Sequence, residues 1–160
     1  MEETIVRRAT AADLPAIGRL GALLVRTHHE FDPQRFMPPM PRAEQGYASF
    51  IGTQLTEPDV IVLVAERAGQ VVGYVYAGVE GRDWMALRDA AGVLHDVVVD
   101  PDHRRSGVGR MLLEAALNFF RERGAPRAVL QTAEKNEEAQ RLFAKAGFRR
   151  TMIEMTRELS

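Results

Sequence analysis

Residues Leu94 to Phe120, LHDVVVDPDHRRSGVGRMLLEAALNFF, constrain this chain more than any other stretch. A β-rich run ends at Asp100-Pro101, a short polar loop follows, and RRSGVG leads into a long amphipathic segment. Strand, glycine loop and helix in that order put backbone N–H groups where they can hold a phosphate. Gly107 and Gly109 let the main chain approach a ligand and take angles that other residues resist. The first turn of the helix offers unpaired N–H donors at the positive end of its dipole. Arg104, Arg105 and Arg110 add positive charge. The stretch predicts a ligand carrying a phosphate or pyrophosphate. The plainer alternative is a strand-to-helix turn with two convenient glycines and solvated arginines. No G-K-[ST] follows, so this is not a P-loop. With one glycine pair and no acidic residue ending the following strand, it is not a dinucleotide fingerprint either.

The 160 residues suit one ordinary domain with a substantial core, and we expect a single domain over 1–160. A net charge of −1 gives no ground for a general nucleic-acid or membrane binder. The chain contains no cysteine, which excludes a disulfide scaffold, a cysteine nucleophile and a thiolate metal site. Residues 1–20 lack a signal-peptide core and no apolar run approaches a membrane span, so the expected location is cytoplasmic.

Thr4 to Arg8 reads as a first strand. Thr10 or Asp13 can cap a helix through Leu14, Ile17, Leu20 and Leu24. HHEFDPQRFMPPMPR then breaks regularity, with prolines at 33, 38, 39 and 41. A second helix is expected over Ala43 to Leu55. Val60–Arg67 and Val71–Glu80 read as a hairpin around Ala68-Gly69-Gln70. Gly81 to Gly92 is a polar loop or short helix, and Val93 to Asp100 is the next strand. A helix over Gly107 to Arg123, a buried-type strand over Ala128 to Thr132 and a helix over Asn136 to Ala146 follow. Phe148 to Leu159 holds one or two final strands. The order predicts a mixed α/β sheet.

Three places in this order resemble the GNAT superfamily of acyl-CoA-dependent N-acyltransferases, and the likeness covers nearly the whole chain. V-V-V-D-P-x-x-R-R-x-G-x-G at 97–109 is similar to the family's acetyl-CoA motif. Asn136, Glu137, Ala139, Leu142, Phe143, Ala146, Gly147 and Phe148 match its N-x-x-A-x-x-L-Y-x-x-x-G-F element. The hairpin ending in VVGYVYAG is similar to the strands before the motif. The resemblance implies a mostly antiparallel central sheet, flanked by helices and splayed at the cofactor strand. It also implies acetyl-CoA as cofactor and a homodimer. In the family, main-chain groups of the strand matching Val97, Val98 and Val99 pair with the pantetheine arm like an added strand. Backbone amides of the loop matching Arg105, Ser106, Gly107, Val108, Gly109 and Arg110 hold the pyrophosphate, with Arg104 at its edge. The asparagine matching Asn136 hydrogen-bonds near the cofactor arm. The family often has a tyrosine at Phe143, credited with protonating the departing thiolate. Phenylalanine has no proton to give.

Acyl transfer from a thioester to an amine makes three demands. The amine must lose its proton, because an alkylammonium is almost fully charged at neutral pH. The carbonyl oxygen needs a hydrogen-bond donor, for which a backbone N–H of Val97–Val99 is the best candidate. The reactants must be held together. On a regular strand, residues 95, 97 and 99 share one face and 96, 98 and 100 the other. His95 sits where relatives often place a glutamate that accepts the proton through water, and imidazole titrates near about 6.5, which suits that role. Its alternative is a histidine hydrogen-bonded at the edge of the core. Asp96 is the rival base, its alternative a carboxylate tied to a backbone amide or an arginine.

On the acceptor side, Glu30, Phe31, Asp32, Arg35 and Phe36 fall in the irregular segment where relatives shape the acceptor pocket. Tyr74, Tyr76, Glu80, Asp83 and Trp84 fall near the other wall. Solvated loops with aromatics filling core gaps are the alternative. Adjacent histidines at 28 and 29 diverge by about 100° on a helix and lack a third ligand, so no metal site is expected. These readings converge on a cytoplasmic acetyl-CoA-dependent N-acetyltransferase. Its substrate would be a small-molecule amine or a protein amino terminus, attacking directly because no cysteine can carry an acyl group. A non-catalytic acyl-CoA-binding regulatory domain on the same fold is the alternative.

Overall fold

A computed structural model describes residues 2–160. Five strands form one sheet in the order β1-β2-β3-β4-β5: β1 (Thr4–Arg8), β2 (Val60–Arg67), β3 (Gln70–Glu80), β4 (Ala91–Val99) and β5 (Ala128–Leu130). The first three pairings are antiparallel and β4–β5 is parallel. The β2–β3 hairpin closes through Ala68 (φ 49°) and Gly69 (φ 76°). Two successive positive φ angles match the right-handed twist of the flanking strands.

Helices cover both faces. α1 (Leu14–Phe31) and α2 (Ala43–Gln54) bury Ile17, Leu20 and Ile51 against Val62, Val64, Tyr74 and Val98. On the other face, α3 (Val108–Glu122) buries Leu112, Leu113, Ala116 and Phe120 against Leu63, Val75 and Leu94. Leu142, Phe143 and Ala146, on and just beyond α4 (Glu137–Lys145), close that side. A Cβ at Gly21 would lie 2.3 Å from the Tyr47 ring, so only glycine lets α2 lay that ring across α1. That contact matters below, because Tyr47 borders the candidate site.

The sheet is mixed and mostly antiparallel, as expected, and two segments, the end of α1 and the C-terminal tail, differ from the sequence reading. α1 runs on to Phe31, so Glu30 and Phe31 lie on its last turn rather than in an irregular segment. The first interrupting proline is Pro33, and it restricts only Asp32, which is extended (φ −155°, ψ 95°). Of the two alternatives for the segment after β3, residues 81–90 take the loop, with Asp83 and Arg88 bridging across a tight turn. The final strands expected over Phe148 to Leu159 are not formed, and residues 151–160 are all exposed. Ile153, Met155 and Leu159 do alternate with Glu154, Thr156 and Glu158. No glycine, proline, asparagine or aspartate within residues 148–159 turns the chain back onto β5, so the pattern does not reach that free edge.

Candidate active site

β4 and β5 pair only over Gly92–Leu94 and Ala128–Leu130. β4 continues to Val99 while β5 stops, two residues short of the expected Thr132. The edge of β4 beyond Leu94 thus has no strand beside it. A cavity of about 250 Å³ occupies the gap, lined by His95, Asp96, Val97, Leu130, Thr132 and Asn136 among others. α1, α2 and the chain between them close its other side with His28, Phe36, Met37 and Tyr47.

A β-bulge sets the direction of both candidate bases. Tyr76 pairs with Asp96 and the next residue, Ala77, pairs with Leu94, which leaves His95 as the extra residue. The regular alternation expected for 95, 97 and 99 therefore fails. Val97 and Val99 pack toward α3, as does Leu94, whereas Val98 packs toward α1. The His95 ring instead stacks on Tyr76, with centroids 4.8 Å apart and planes 25° from parallel. Its Nε2 lies 2.8 Å from Glu80 Oε2. A bulge re-aims a side chain in this way, and periodicity in one strand cannot reveal it.

Asp96 is held neither by a backbone amide nor by an arginine. Tyr74 donates its hydroxyl to Asp96 Oδ2 at 2.9 Å. Burial raises the Asp96 carboxyl above its ordinary value, opposed by the Tyr74 hydrogen bond and by the charges of His95 and His28. Burial also raises the Tyr74 and Tyr47 phenols, and the charge of Asp96 adds to both. A half-buried carboxyl and an exposed imidazole thus stand side by side on the cavity wall, two groups there that can take up a proton.

At the other end of the gap, Arg105 (φ 62°) and Gly107 (φ 87°) are both left-handed. Gly107 is the N-cap of α3, and the first internal bond of that helix runs from the Met111 N–H to the Gly107 carbonyl at 3.0 Å. The N–H groups of Val108, Gly109 and Arg110 are left without helical partners. A Cβ at Gly107 would meet nothing within 4 Å. Arg104 to Gly107 are exposed, and Arg104 Nε donates to the Val99 carbonyl at 3.3 Å. The Ser106 hydroxyl bonds the His103 carbonyl. Asn136 caps α4, its Oδ1 accepting from the Ala139 N–H at 3.1 Å. Phe143 borders the cavity and meets Phe148 edge-on, with centroids 5.9 Å apart. An unpaired strand edge, a loop of free amides and open space at a glycine fit a pantetheine arm with its diphosphate.

The sequence model of the Acetyltransferase (GNAT) family matches residues 23–148. The chain belongs to the GNAT acetyltransferase family. A mycothiol acetyltransferase from Thermobispora bispora is 38% identical over 96 residues, which cover 58% of this chain and 31% of that protein. The chain thus spans about a third of the length of that relative. Among solved structures, a tetramutant of the BH1408 protein from Bacillus halodurans superposes with a TM-score of 0.83 at 21% identity, over 97% of this chain and 99% of that one. An aminoglycoside N-acetyltransferase in complex with CoA gives 0.73 at 16% identity, over 100% and 97%. At these identities the two structures establish the fold alone, the mixed sheet of the GNAT acetyltransferases.

Within this GNAT chain, the residues singled out on the acceptor side divide. Tyr76 sits against His95 and donates to Gln54 Oε1 at 3.1 Å. Trp84 does not reach the cavity: it is 72% exposed on the 81–90 turn, beside Arg82. Glu30 is exposed at the end of α1, and Phe31 touches His28 edge-on rather than the cavity. The helix that carries them turns His28 inward in their place. His28 Nδ1 bonds the Leu24 carbonyl at 2.9 Å and His29 Nδ1 the Phe36 carbonyl at 3.1 Å. Sequence reasoning missed His28, Met37 and Tyr47 as cavity residues. The one available signal was Gly21, an unexplained gap in the α1 stripe that the Tyr47 ring fills.

Proposed function

We propose that this chain is an acetyl-CoA-dependent N-acetyltransferase acting on a primary amine, of a small molecule or a protein amino terminus. One observation carries the reading: the parting of β4 from β5 opens a cavity with His95 and Asp96 on its wall. Acetyl-CoA, the acyl donor of this family, would supply the thioester carbonyl. The N–H groups around Ser106 to Arg110 would bind its diphosphate, with Arg104 and Arg105 adding charge. The free edge of Val97–Val99 would pair with its arm, and a β4 N–H would donate to the carbonyl oxygen. Asn136, its Oδ1 committed to the helix cap, keeps its amide N–H donors for the same arm. His95, partly exposed, takes the amine proton and passes it to solvent, with the half-buried Asp96 as the rival base.

Two measurements test this. Calorimetry with coenzyme A reads binding, and a thiol-release assay over a panel of amines reads turnover. Binding without thiol release on any amine would favour the regulatory acyl-CoA-binding domain instead. His95→Ala is expected to lower turnover by roughly 10²-fold, the lower range for a general base, with unchanged coenzyme A affinity.

We also read residues 1–160 as one cytoplasmic domain that acts as a homodimer. The exposed Ile153, Met155 and Leu159 and the outer edge of β5 support self-association. Light scattering on the full chain and on a chain ending at Arg150 should separate dimer from monomer. No helix among the described residues is long and apolar enough to cross a membrane.

A further inference from the structure

We propose that Glu80 is a positioning residue that fixes the tautomer and orientation of the His95 ring, an inference that rests on the acetyltransferase reading above. Glu80 ends β3, and His95 is the bulged residue of β4, so the bulge is what brings the two together. Glu80 Oε2 lies 2.8 Å from His95 Nε2. The other carboxylate oxygen lies 3.4 Å from Arg88 Nη2. Arg88 is itself fixed: its N–H and carbonyl pair with Asp83 at 3.0 and 2.8 Å, and its guanidinium lies 3.8 Å from Asp83 Oδ2. The 81–90 turn thus serves as a brace for Glu80. Tyr76, anchored by Gln54 and met edge-on by Phe50, supports one face of the imidazole. The ring is constrained at Nε2 and over one face.

The chemistry follows from the donor and acceptor inventory. An ionised carboxylate only accepts, so a neutral His95 must donate from Nε2. Nδ1 is then the nitrogen with the lone pair. When an ammonium N–H bond of the acceptor breaks, directly or through water, a bond from Nδ1 to the proton forms. The resulting imidazolium is paired with Glu80, which keeps its charge, and the proton leaves from Nδ1 to solvent. An orienting carboxylate on a functional imidazole is worth about 10- to 100-fold where such partners have been removed.

The test uses the full chain. Long-range proton–nitrogen NMR reads the His95 tautomer, with the H95A spectrum assigning the ring among the four histidines. Wild type should show the Nε2–H tautomer. E80Q, whose amide oxygen still accepts, should keep it, and E80A should show a mixture. Turnover should fall in the order wild type, E80Q, E80A, with the loss in kcat rather than KM and with unchanged coenzyme A affinity. The E80A/H95A double variant should be no slower than H95A. A tautomer unmoved by E80A, or a double variant much slower than H95A, overturns the proposal. The NMR arm needs no acyl donor. Silence of every amine in the turnover assay therefore counts against the acetyltransferase reading, while the tautomer still decides the role of Glu80.

Discussion

Tyr74 reaches from β3 to Asp96 on β4, donating its hydroxyl to Oδ2 at 2.9 Å while itself fully buried. The bond is diagonal, since the register partner of Tyr74 is Val98. It satisfies a phenol that burial would otherwise leave unpaired, and it anchors one wall of the cavity to the α1–α2 side of the core.

The carboxyl at the end of that bond makes stability depend on pH. Burial raises it above its ordinary 3.8, so the folded chain holds its proton more tightly than the unfolded one. The stabilisation this gives is complete below the unfolded value and is lost as pH rises through the raised folded value. Asn carries no such charge and still accepts from Tyr74. D96N is therefore expected to gain stability over wild type as pH rises from about 3 to 7. Urea titrations at several pH values measure the gap, and a gap that does not widen contradicts the burial argument.

Asp13 should show the opposite slope. Its carboxylate takes Arg7 Nη1 and Nη2 at 2.8 and 3.0 Å and the Thr10 N–H at 2.8 Å. The Arg7 hydrogen bonds are the largest cause of its lowered pKa, with burial opposing. The stability it confers is present above the unfolded value of 3.8 and is lost as pH falls through the depressed folded value. D13A should cost about 2 kcal/mol near neutrality, from the cap and the half-exposed pair together. That cost should shrink in acid. A pH-independent cost in the same urea titrations would count against the ion pair.

Most of the fold was legible because its elements are bounded by local chemistry. Pro33 ends α1, Gly107 opens α3 and Asn136 opens α4, and each is a residue whose backbone or side-chain preference acts within a few positions. What escaped was non-local. The bulge at His95 arises from pairing between β3 and β4, so strict alternation assigned the ring to the wrong face. Glu80 was named only as a pocket-wall acid because its partner lies fifteen residues on, across that pairing. Trp84 was placed near the pocket by its position after β3, but the Asp83–Arg88 bridge turns that loop outward. Alternation in the tail predicted a strand, yet a strand forms only where the chain turns back onto an edge, which a pattern does not fix.

Gly107 separates the effect of backbone strain from that of the ligand. Its φ of 87° disfavours any Cβ, and alanine there should destabilise the chain by about 1 kcal/mol. Beyond the adjoining residues, no protein atom lies within 4 Å of that Cβ, so backbone strain sets the folding cost. Gly107→Glu adds a negative side chain at the loop proposed for the diphosphate. Calorimetry should show coenzyme A affinity lost in G107E and only weakened in G107A. Undiminished affinity in G107E would move the diphosphate elsewhere.

Phe143 tests how the departing sulfur of the proposed reaction is served. The side chain borders the cavity beside Asn136 and Ala139, at the position matching the tyrosine of the N-x-x-A-x-x-L-Y-x-x-x-G-F element that this segment resembles. Its ring is partly buried against Phe148, so a hydroxyl at its tip adds a donor without removing packing. A positioned proton donor contributes about 10²- to 10⁴-fold when proton delivery limits the step. Solvent water already supplies part of that, so F143Y is expected to raise kcat by roughly tenfold, below the full general-acid range. KM for the amine should stay the same, since the hydroxyl is needed only as the sulfur departs. Thiol release under saturating amine measures this directly. An unchanged kcat would show that departure of the sulfur does not limit turnover. A decrease in kcat with lower coenzyme A affinity would show that the cavity needs an apolar surface at this position.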